Sequence, residues 1–426
     1  MELKYGSTSF ALDHPPEHLA GVIVPSPVPL LESPGTIVLK ALDTCQSILS
    51  TFKAGERVVI ITSDITRYTG SELYLPLLVE RLHRQGIEDK DIEILIALGI
   101  HRRQTAHEHQ KILGSLYGRT RVVDHDCDDH HQLVMVGTTS NGIPVSINRR
   151  AVEADRMILT GTISFHYFAG FGGGRKSILP GIASRQACMA SHFAVLNPGE
   201  GSGKNPLATT GNLEGNPVHN AMVEGCAMAR PDCILNTVLS PDKQIIAAFA
   251  GEWREAHEAG CRFYRDRFAF PLNEKGDLVI ASCGGFPKDI NLIQAHKSME
   301  YASHSIKDGG VMILLAECRD GFGNATFFNW FRYKRLDEFE SALRKQYEIN
   351  GQTAYSMLQK AQRFRIILVS EFSERQVVEM GMIPARTLSN AMETAVKLMP
   401  ADWKGYVMPE AGSVLPVASD NRAVAC

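Results

Sequence analysis

Short runs of apolar, mostly β-branched residues recur along this chain and are separated by segments of helical length. The runs lie at residues 21–24, 57–62, 92–98, 156–161, 277–282, 310–317 and 365–370. Continuous apolar strands are typical of a parallel sheet that is covered on both faces. Helices are predicted between them, at residues 71–86, 103–116, 289–308, 336–347, 352–363 and 386–399. This alternation predicts an α/β fold with largely parallel sheets.

The length of the chain indicates more than one domain. Its 426 residues exceed what one hydrophobic core usually serves. A polar, turn-rich stretch at 271–276 follows a helical segment and precedes a new strand. We therefore predict an N-terminal α/β domain at residues 1–270 and a C-terminal α/β domain at residues 277–426.

Charge and cysteine content narrow the class of partner. The chain has 44 Lys and Arg against 47 Asp and Glu, so no excess of positive charge attracts a nucleic acid backbone. It contains no apolar run of the roughly 18 residues that a membrane span needs, and its first residues do not resemble a signal peptide. Nine cysteines without a C-x-x-C pair argue against a disulfide framework or a zinc knuckle. We expect a cytoplasmic protein with mostly buried, reduced thiols and neither a nucleic acid nor a membrane as partner.

Polar clusters follow several predicted strands, at the carboxyl ends where open α/β sheets bind ligands. Ser63, Asp64 and Arg67 follow one strand, and either Ser63 or Asp64 can cap the next helix. His101 follows another strand and carries a group that titrates near neutral pH. Taken alone, the first cluster is more often a helix cap with a solvated arginine, and the second is more often a structural histidine.

The most unusual segment runs from residue 164 to residue 181 and reads SFHYFAGFGGGRKSILPG. Its glycines allow the backbone to approach a ligand closely. A phosphate-binding P-loop requires Gly-Lys-Ser/Thr in sequence, but Arg175 precedes the lysine here. Pro180 also falls in the helix that a P-loop must begin. Lys176 is therefore a candidate covalent anchor or nucleophile, and the structural alternative is a solvated lysine on a surface turn.

Three further segments carry polar candidates. His192, downstream of the glycine-rich segment, is a candidate metal ligand. If Asp289 caps a helix, Gln294 and Lys297 share one face of it and can meet a carboxylate, although a plain polar helix face is the alternative. The acidic and histidine-rich run at 124–131 is interpreted as a solvated loop, because consecutive residues cannot all point at one metal.

In this order, the segments closely resemble the nickel-dependent lactate racemase family. The motifs that carry the resemblance are SDxTR at 63–67, GxHR at 99–102, the glycine-rich segment, the Ser-His pair that ends at His192, and NLxQAxK at 291–297. The central spacing is specific, with His166 ten residues before Lys176 and His192 sixteen after it. The resemblance implies two α/β domains with the active site in the cleft between them.

The resemblance also implies a cofactor, the nickel pincer nucleotide, which is a pyridinium-3,5-bisthiocarboxylic acid mononucleotide that holds nickel. It implies that Lys176 forms a covalent thioamide link to this group and that His192 completes the nickel coordination. The remaining cofactor contacts that we expect are Asp64, Gly172, Gly173 and Gly174. Proteins that make and load the cofactor are implied as partners.

For catalysis, the resemblance implies that His101 and His166 are the acid/base residues, while Arg67, Gln294 and Lys297 bind substrate. The chemistry agrees with this assignment. The Cα–H proton of a 2-hydroxy acid is too weakly acidic for an ordinary base, so removal as hydride is the easier route. The planar keto acid can then accept hydride on either face, which requires two proton carriers.

We therefore predict an isomerase, a racemase or epimerase of 2-hydroxycarboxylic acids. Residue 293 is Ile where lactate racemases resemble one another in carrying Tyr, and residues 68–70 replace a proline-containing turn. These departures predict a substrate larger or more apolar than lactate. Two alternatives are a phosphate- or nucleotide-binding hydrolase built on the glycine-rich segment and a nickel-binding protein without enzymatic activity.

Overall fold

The computed structural model describes residues 1–12, 18–27 and 32–419. In chain order its strands are β1 (Glu2–Tyr5), β2 (Thr8–Ala11), β3 (Leu19–Val22), β4 (Val58–Ser63), β5 (Ile92–Ala97), β6 (Arg121–Asp124), β7 (Leu133–Thr138), β8 (Pro144–Asn148), β9 (Arg156–Ile163), β10 (Phe165–His166), β11 (Gly170–Phe171), β12 (Cys233–Leu239), β13 (Ile245–Gly251), β14 (Ala269–Leu272), β15 (Gly276–Ser282), β16 (Ile306–Leu315), β17 (Arg365–Val369), β18 (Ile383–Ala385), β19 (Gly405–Met408) and β20 (Leu415–Ala418).

The α-helices alternate with these strands, as the sequence predicts. They are α1 (Pro34–Thr44), α2 (Gln46–Leu49), α3 (Ser71–His83), α4 (Ala106–Leu113), α5 (Arg149–Glu153), α6 (Arg185–Phe193), α7 (Pro217–Ala229), α8 (Trp253–Phe268), α9 (Leu292–Ala302), α10 (Leu336–Lys345), α11 (Ile349–Arg363), α12 (Glu374–Glu379) and α13 (Leu388–Leu398). Within the described ranges, no helix has the length and apolar character that crossing a membrane requires.

The chain divides into two compact units. The N-terminal unit comprises Val28–Asn197 and Lys204–Asp266, and the C-terminal unit comprises Met1–Pro27, Pro198–Gly203 and Arg267–Cys426. The units differ from the predicted division at residues 1–270 and 277–426, because the first residues of the chain belong with the C-terminal part.

The reason for this difference is strand pairing over a long sequence separation. Strand β3 pairs in parallel with β19 and forms the edge of the C-terminal sheet. The backbone amide of Gly6 also donates a hydrogen bond of 2.7 Å to Asp289 Oδ2. In addition, the predicted turn at 271–276 begins inside β14, which pairs with β20. Local sequence patterns carry no signal for such distant partners.

The main sheet of the N-terminal unit has the strand order β13-β12-β9-β4-β5-β6. Only its β12–β13 pair is antiparallel among the described strands. Its apolar strands are buried, as the continuous Val and Ile runs predict. From β4 the chain proceeds to β5 and β6 on one side and then returns to β9 on the other. The gap between β4 and β9 is therefore a topological switch point, where open α/β sheets bind ligands.

The main sheet of the C-terminal unit has the order β18-β17-β16-β15-β19-β3, and all of its described pairs are parallel. Its order reverses between β15 and β19. Helix α9, which follows β15, begins at that second switch point. The α/β class with largely parallel sheets is thus confirmed for both units.

Candidate active site

Three predicted site segments emerge from adjacent strands of the N-terminal unit. Strands β9, β4 and β5 are neighbours in the sheet, and the segments with His166, Asp64 and His101 follow their carboxyl ends. The Gly99 amide donates to the Gly181 carbonyl at 2.8 Å, which ties the His101 loop to the turn after Lys176. The parallel register therefore gathers segments that are far apart in sequence.

Asp64 and His101 form a hydrogen-bonded pair. Their Oδ2 and Nδ1 atoms are 2.6 Å apart, and the Asp64 side chain is 3% exposed against 40% for His101. Burial raises the pKa of Asp64, but hydrogen bonds from His101 and Thr66 outweigh burial, so the pKa lies below its usual value. Because a carboxylate only accepts hydrogen bonds, Nδ1 of His101 carries a proton, and in the neutral ring Nε2 has the lone pair.

The prediction that Ser63 or Asp64 caps the next helix was wrong. Helix α3 is preceded by Gly70, at a φ of 76°, whereas Asp64 Oδ1 accepts hydrogen bonds from the backbone and hydroxyl of Thr66. The Asp64 side chain thus closes a local turn, as aspartates do after strands. Arg67 ends that turn and is exposed, outside the first turn of α3.

The glycines of the glycine-rich segment are explained by contacts with protein atoms. A Cβ on Gly173 would lie 2.9 Å from Asn236 Oδ1, and one on Gly174 would lie 2.6 Å from the His257 ring. Both glycines also have positive φ values, which other residues rarely adopt. After Gly173 the chain forms a short 3-10 turn at Gly174–Ser177, so the long helix of a P-loop is missing there.

Arg175 holds the glycine-rich segment in place, although from its sequence position it only interrupts the P-loop pattern. Its side chain is fully buried, and its guanidinium donates to the carbonyls of Ala169 (2.9 Å), Phe171 (3.0 Å) and Gly172 (3.2 Å). Burial lowers the pKa of Arg175 to about 10, which leaves it charged at neutral pH. Arg175 therefore fixes the loop backbone and adds positive charge behind it. A buried arginine of this kind is not distinguishable from a surface one by sequence alone.

His166 and Lys176 are in contact. Lys176 Nζ lies 3.2 Å from His166 Nε2, and both residues are partly buried. The ring of Phe168 lies edge-on to His166 at 4.5 Å and to His192 at 5.3 Å between centroids, and 5.9 Å from Lys176 Nζ. Phe168 therefore joins the three predicted residues.

His192 lies on α6 and has one ring nitrogen engaged. Its Nδ1 lies 2.8 Å from the Cys188 carbonyl, so Nδ1 carries a proton and Nε2 retains a lone pair. Burial, followed by the charge of Lys176, lowers the pKa of His192 to about 4. The imidazole is therefore neutral near pH 7, which is the form that coordinates metals.

The charges around Lys176 are mainly positive. Burial, then Arg175 and Arg67, lowers the pKa of Lys176 to about 7, while Cys188 acts weakly in the opposite direction. Burial, followed by electrostatic repulsion from Lys176, also holds the pKa of His166 well below its ordinary value, and Arg67 and Arg175 act in the same direction. Arg67 is thus near enough to act on this cluster, and the cluster attracts anions.

In the C-terminal unit, Gln294 and Lys297 share one exposed face of α9. Lys297 Nζ donates to Gln294 Oε1 at 3.0 Å. The helix cap is Asn291, which accepts from the Gln294 amide, so the condition that Asp289 caps this helix is not met. Asp289 is instead buried and accepts from the backbone amides of Gly6 and Glu317.

The acidic run at 124–131 makes more ion pairs with neighbouring side chains than we expect of a solvated loop. Asp126 pairs with Arg103 and Asp128 pairs with Arg185, while His125 is buried. In the part of the chain that is described, no three His, Cys, Asp or Glu side chains are grouped to hold a metal. The described cysteines are all buried and free of disulfides, as predicted.

Comparison with known proteins identifies relatives along almost the whole chain. Residues 5–203 match the lactate racemase N-terminal domain, and residues 272–416 match the lactate racemase C-terminal domain. The lactate racemase of Thermoanaerobacterium thermosaccharolyticum is 34% identical over 427 residues, covering 97% of this chain and 98% of that protein. The lactate racemase of Lactiplantibacillus plantarum is 35% identical over 365 residues, covering 84% of each.

Solved structures agree with these relatives. The lactate racemase apoprotein from Thermoanaerobacterium thermosaccharolyticum superposes with a TM-score of 0.87 at 34% identity, covering 98% of this chain and 99% of that one. A protein from Thermotoga maritima shares the fold at 19% identity, with a TM-score of 0.62 over 88% of this chain and 97% of that one.

The fold and these relatives define an enzyme of the isomerase class, a racemase. More specifically, the chain belongs to the lactate racemase family. Enzymes of this family need a metal cofactor.

Proposed function

We propose that this enzyme racemises 2-hydroxycarboxylic acids by reversible hydride transfer, with a nickel pincer nucleotide attached to Lys176. The observation that carries the proposal is the convergence of Lys176, His166 and His192 on the ring of Phe168. The curated relatives are lactate racemases, which supports a hydroxy acid as substrate. The identity of the cofactor, its attachment and a substrate larger than lactate go beyond those names and belong to this proposal.

The residues present fit the nickel pincer nucleotide. In the neutral imidazole of His192, Nε2 carries the lone pair, so this nitrogen is a suitable nickel ligand. The pKa of Lys176 is about 7, so much of this amine is in the neutral, nucleophilic form at neutral pH. Arg67 and Arg175 supply positive charge that suits phosphate and thio-acid groups. When bound, the group supplies an acceptor for the hydride from Cα.

The protein's own residues then handle the substrate oxygen atoms. His101 Nε2 has the lone pair that takes the hydroxyl proton, and Asp64 stabilises the imidazolium that results. His166 is the second proton carrier and serves the opposite enantiomer. Arg67 is exposed, and its planar guanidinium can form a bidentate pair with the carboxylate of the substrate.

Other residues have supporting roles in the proposal. Asp64, which we expected to contact the cofactor, is assigned instead to orienting His101, because its Oδ2 atom faces that ring at 2.6 Å. The backbone at Gly172, Gly173 and Gly174 stays a predicted cofactor contact. Gln294 and Lys297, with their shared polar face, are assigned to the substrate. A cytoplasmic location and partners that load the cofactor also stay predictions.

The test is to produce the protein with nickel and the cofactor-making proteins and to analyse the Lys176 peptide by mass spectrometry. We expect a mass increase at Lys176 that matches the nucleotide, and racemisation of single enantiomers followed by chiral chromatography. A series of 2-hydroxy acids with longer apolar side chains should be turned over faster than lactate. An unmodified Lys176 in protein that nevertheless racemises would contradict the proposed attachment.

A further inference from the structure

The orientation of one peptide group decides which nitrogen of His166 carries a proton. The Ala169 amide donates a hydrogen bond of 3.3 Å to His166 Nδ1. The carbonyl of the same peptide, that of Phe168, accepts from the buried Asn216 side chain at 2.8 Å. Arg175 fixes the next carbonyl, that of Ala169, at 2.9 Å. The peptide is therefore held from both sides, and its N–H group points at the ring.

A neutral imidazole has one protonated nitrogen and one acceptor. Because Nδ1 of His166 accepts from Ala169, the proton must be on Nε2, the atom that lies 3.2 Å from Lys176 Nζ. An ammonium group has three donors and no acceptor, so it cannot receive this hydrogen bond. The contact is satisfied when Lys176 is a neutral amine whose lone pair accepts from Nε2–H. Its own N–H bonds can still face the ring of Phe168.

The surrounding charges favour the same state. Arg175 and Arg67 are the cations that act on Lys176, and His192, on α6, is neutral. Cys188, also on α6, is the group that acts in the opposite direction, and burial raises the pKa of its thiol to about 12, so it is uncharged. An ammonium at this position would therefore meet two guanidinium charges and no compensating thiolate.

We propose that His166 is a positioning residue for cofactor attachment, which holds Lys176 as a free amine before any group is bound. This rests on the proposed function, and it gives His166 a role that precedes catalysis. The electrophile that this site takes is a thiocarboxylic acid. The Lys176 nitrogen forms a C–N bond, the C–O bond breaks, and one water leaves, so that R–C(O)SH and the amine give R–C(S)–NH–Lys. The departing oxygen takes two protons, one from the S–H group and one from Nε2–H, and Nε2 regains its proton from the Lys176 nitrogen in the same step; nothing is oxidised or reduced.

The experiment is competitive acylation of the full-length protein produced without nickel or cofactor-making proteins. Trace acetic anhydride is applied across a pH series, and labelling of each lysine is quantified by mass spectrometry. Lys53 and Lys111, which are exposed and lie in the same unit, are internal controls. The variants are His166→Leu, which removes the donor, and His166→Gln, whose side-chain amide retains one.

We expect labelling of Lys176 to have its midpoint near pH 7, against about 10.4 for an ordinary lysine. In His166→Leu, the midpoint should rise by about half to one pH unit, because one hydrogen bond to the neutral amine is lost. His166→Gln should restore most of that shift, while Lys53 and Lys111 stay unchanged in both variants. Normalising each lysine to its own plateau removes differences in access.

A Lys176 midpoint near that of Lys53 would overturn the inference. An unchanged midpoint in His166→Leu, with control lysines as in the parent, would also overturn it. Failure of the proposed function gives a different result: Lys176 then labels as expected, but protein produced with nickel and cofactor-making proteins neither carries the nucleotide nor racemises a hydroxy acid.

Discussion

His101 and His166 follow strands that flank β4 on its two sides, yet their surroundings differ in almost every respect. His101 is partly exposed and donates from Nδ1 to the carboxylate of Asp64. His166 accepts at Nδ1 from a backbone amide and turns Nε2 toward Lys176 among positive charges. The first arrangement leaves a lone pair on Nε2, and the second leaves a proton there.

The difference matters for the proposed mechanism, in which the hydroxyl oxygen loses a proton to one histidine and regains one from the other. His101, with a lone pair on Nε2, can begin by taking the hydroxyl proton, whereas the neutral His166, with a proton on Nε2, can at first only donate a hydrogen bond.

The largest effect is expected from removing the lysine on the His166 side. Lys176→Ala deletes the amine that we propose attaches the cofactor, so retention of the nucleotide and racemisation should both be lost, by more than about 10³-fold. Mass spectrometry and chiral chromatography measure the two losses, with Lys53→Ala as an exposed control. A Lys176→Ala protein that still carries the nucleotide would mean that attachment lies elsewhere.

Removing either His101 or His166 tests whether racemisation needs both proton carriers. His101→Ala and His166→Ala should each lower kcat by about 10² to 10⁴-fold, as expected for loss of a proton carrier. Starting from either enantiomer should give the same loss, since the equilibrium constant is unity. His83→Ala, at an exposed histidine paired with Asp89, is the control. Near-normal turnover in one variant would remove that histidine from the mechanism.

Asp64→Asn should invert the state of His101 while preserving its shape. The new amide can donate to Nδ1, which would move the proton to Nε2 and make the two histidines alike. We expect kcat to fall by about 10²-fold, measured with the nucleotide content held equal. Asp124→Asn is a matched control, because Asp124 pairs with His109 at 2.8 Å in the same unit. Equal small effects of both substitutions would leave Asp64 as a structural residue.

Substitution of Arg67 tests the positive charge near His166 and is expected to have the smallest effect on catalysis. Arg67→Ala should raise KM at least tenfold, or about 1.4 kcal/mol, if the guanidinium pairs with the carboxylate. Arg84→Ala, at an exposed arginine paired with Glu80, should leave KM unchanged. A drop in kcat at constant KM would instead assign Arg67 to the reacting atoms.

The sequence predicts those parts of this account that depend on local pattern. The apolar runs predict the strands, and their carboxyl ends predict where His101, His166 and Lys176 occur. Contacts between segments are different: the pairing of Asp64 with His101 joins two loops 37 residues apart. The protonated nitrogen of His166 depends on the direction of a single peptide group, which no residue pattern encodes. The apolar run at 21–24 predicts a strand there, but not its pairing with the C-terminal sheet, for the same reason.

In the proposed mechanism, both histidines move protons on and off oxygen while the Cα hydrogen travels as hydride. The decisive measurement is racemisation, in ordinary water, of one enantiomer of a 2-hydroxy acid that carries deuterium at Cα. We predict that the opposite enantiomer forms with deuterium retained at Cα, as seen by mass spectrometry after chiral separation. Loss of the label to solvent at the rate of racemisation would show that a protein base removes the Cα proton, and would contradict it.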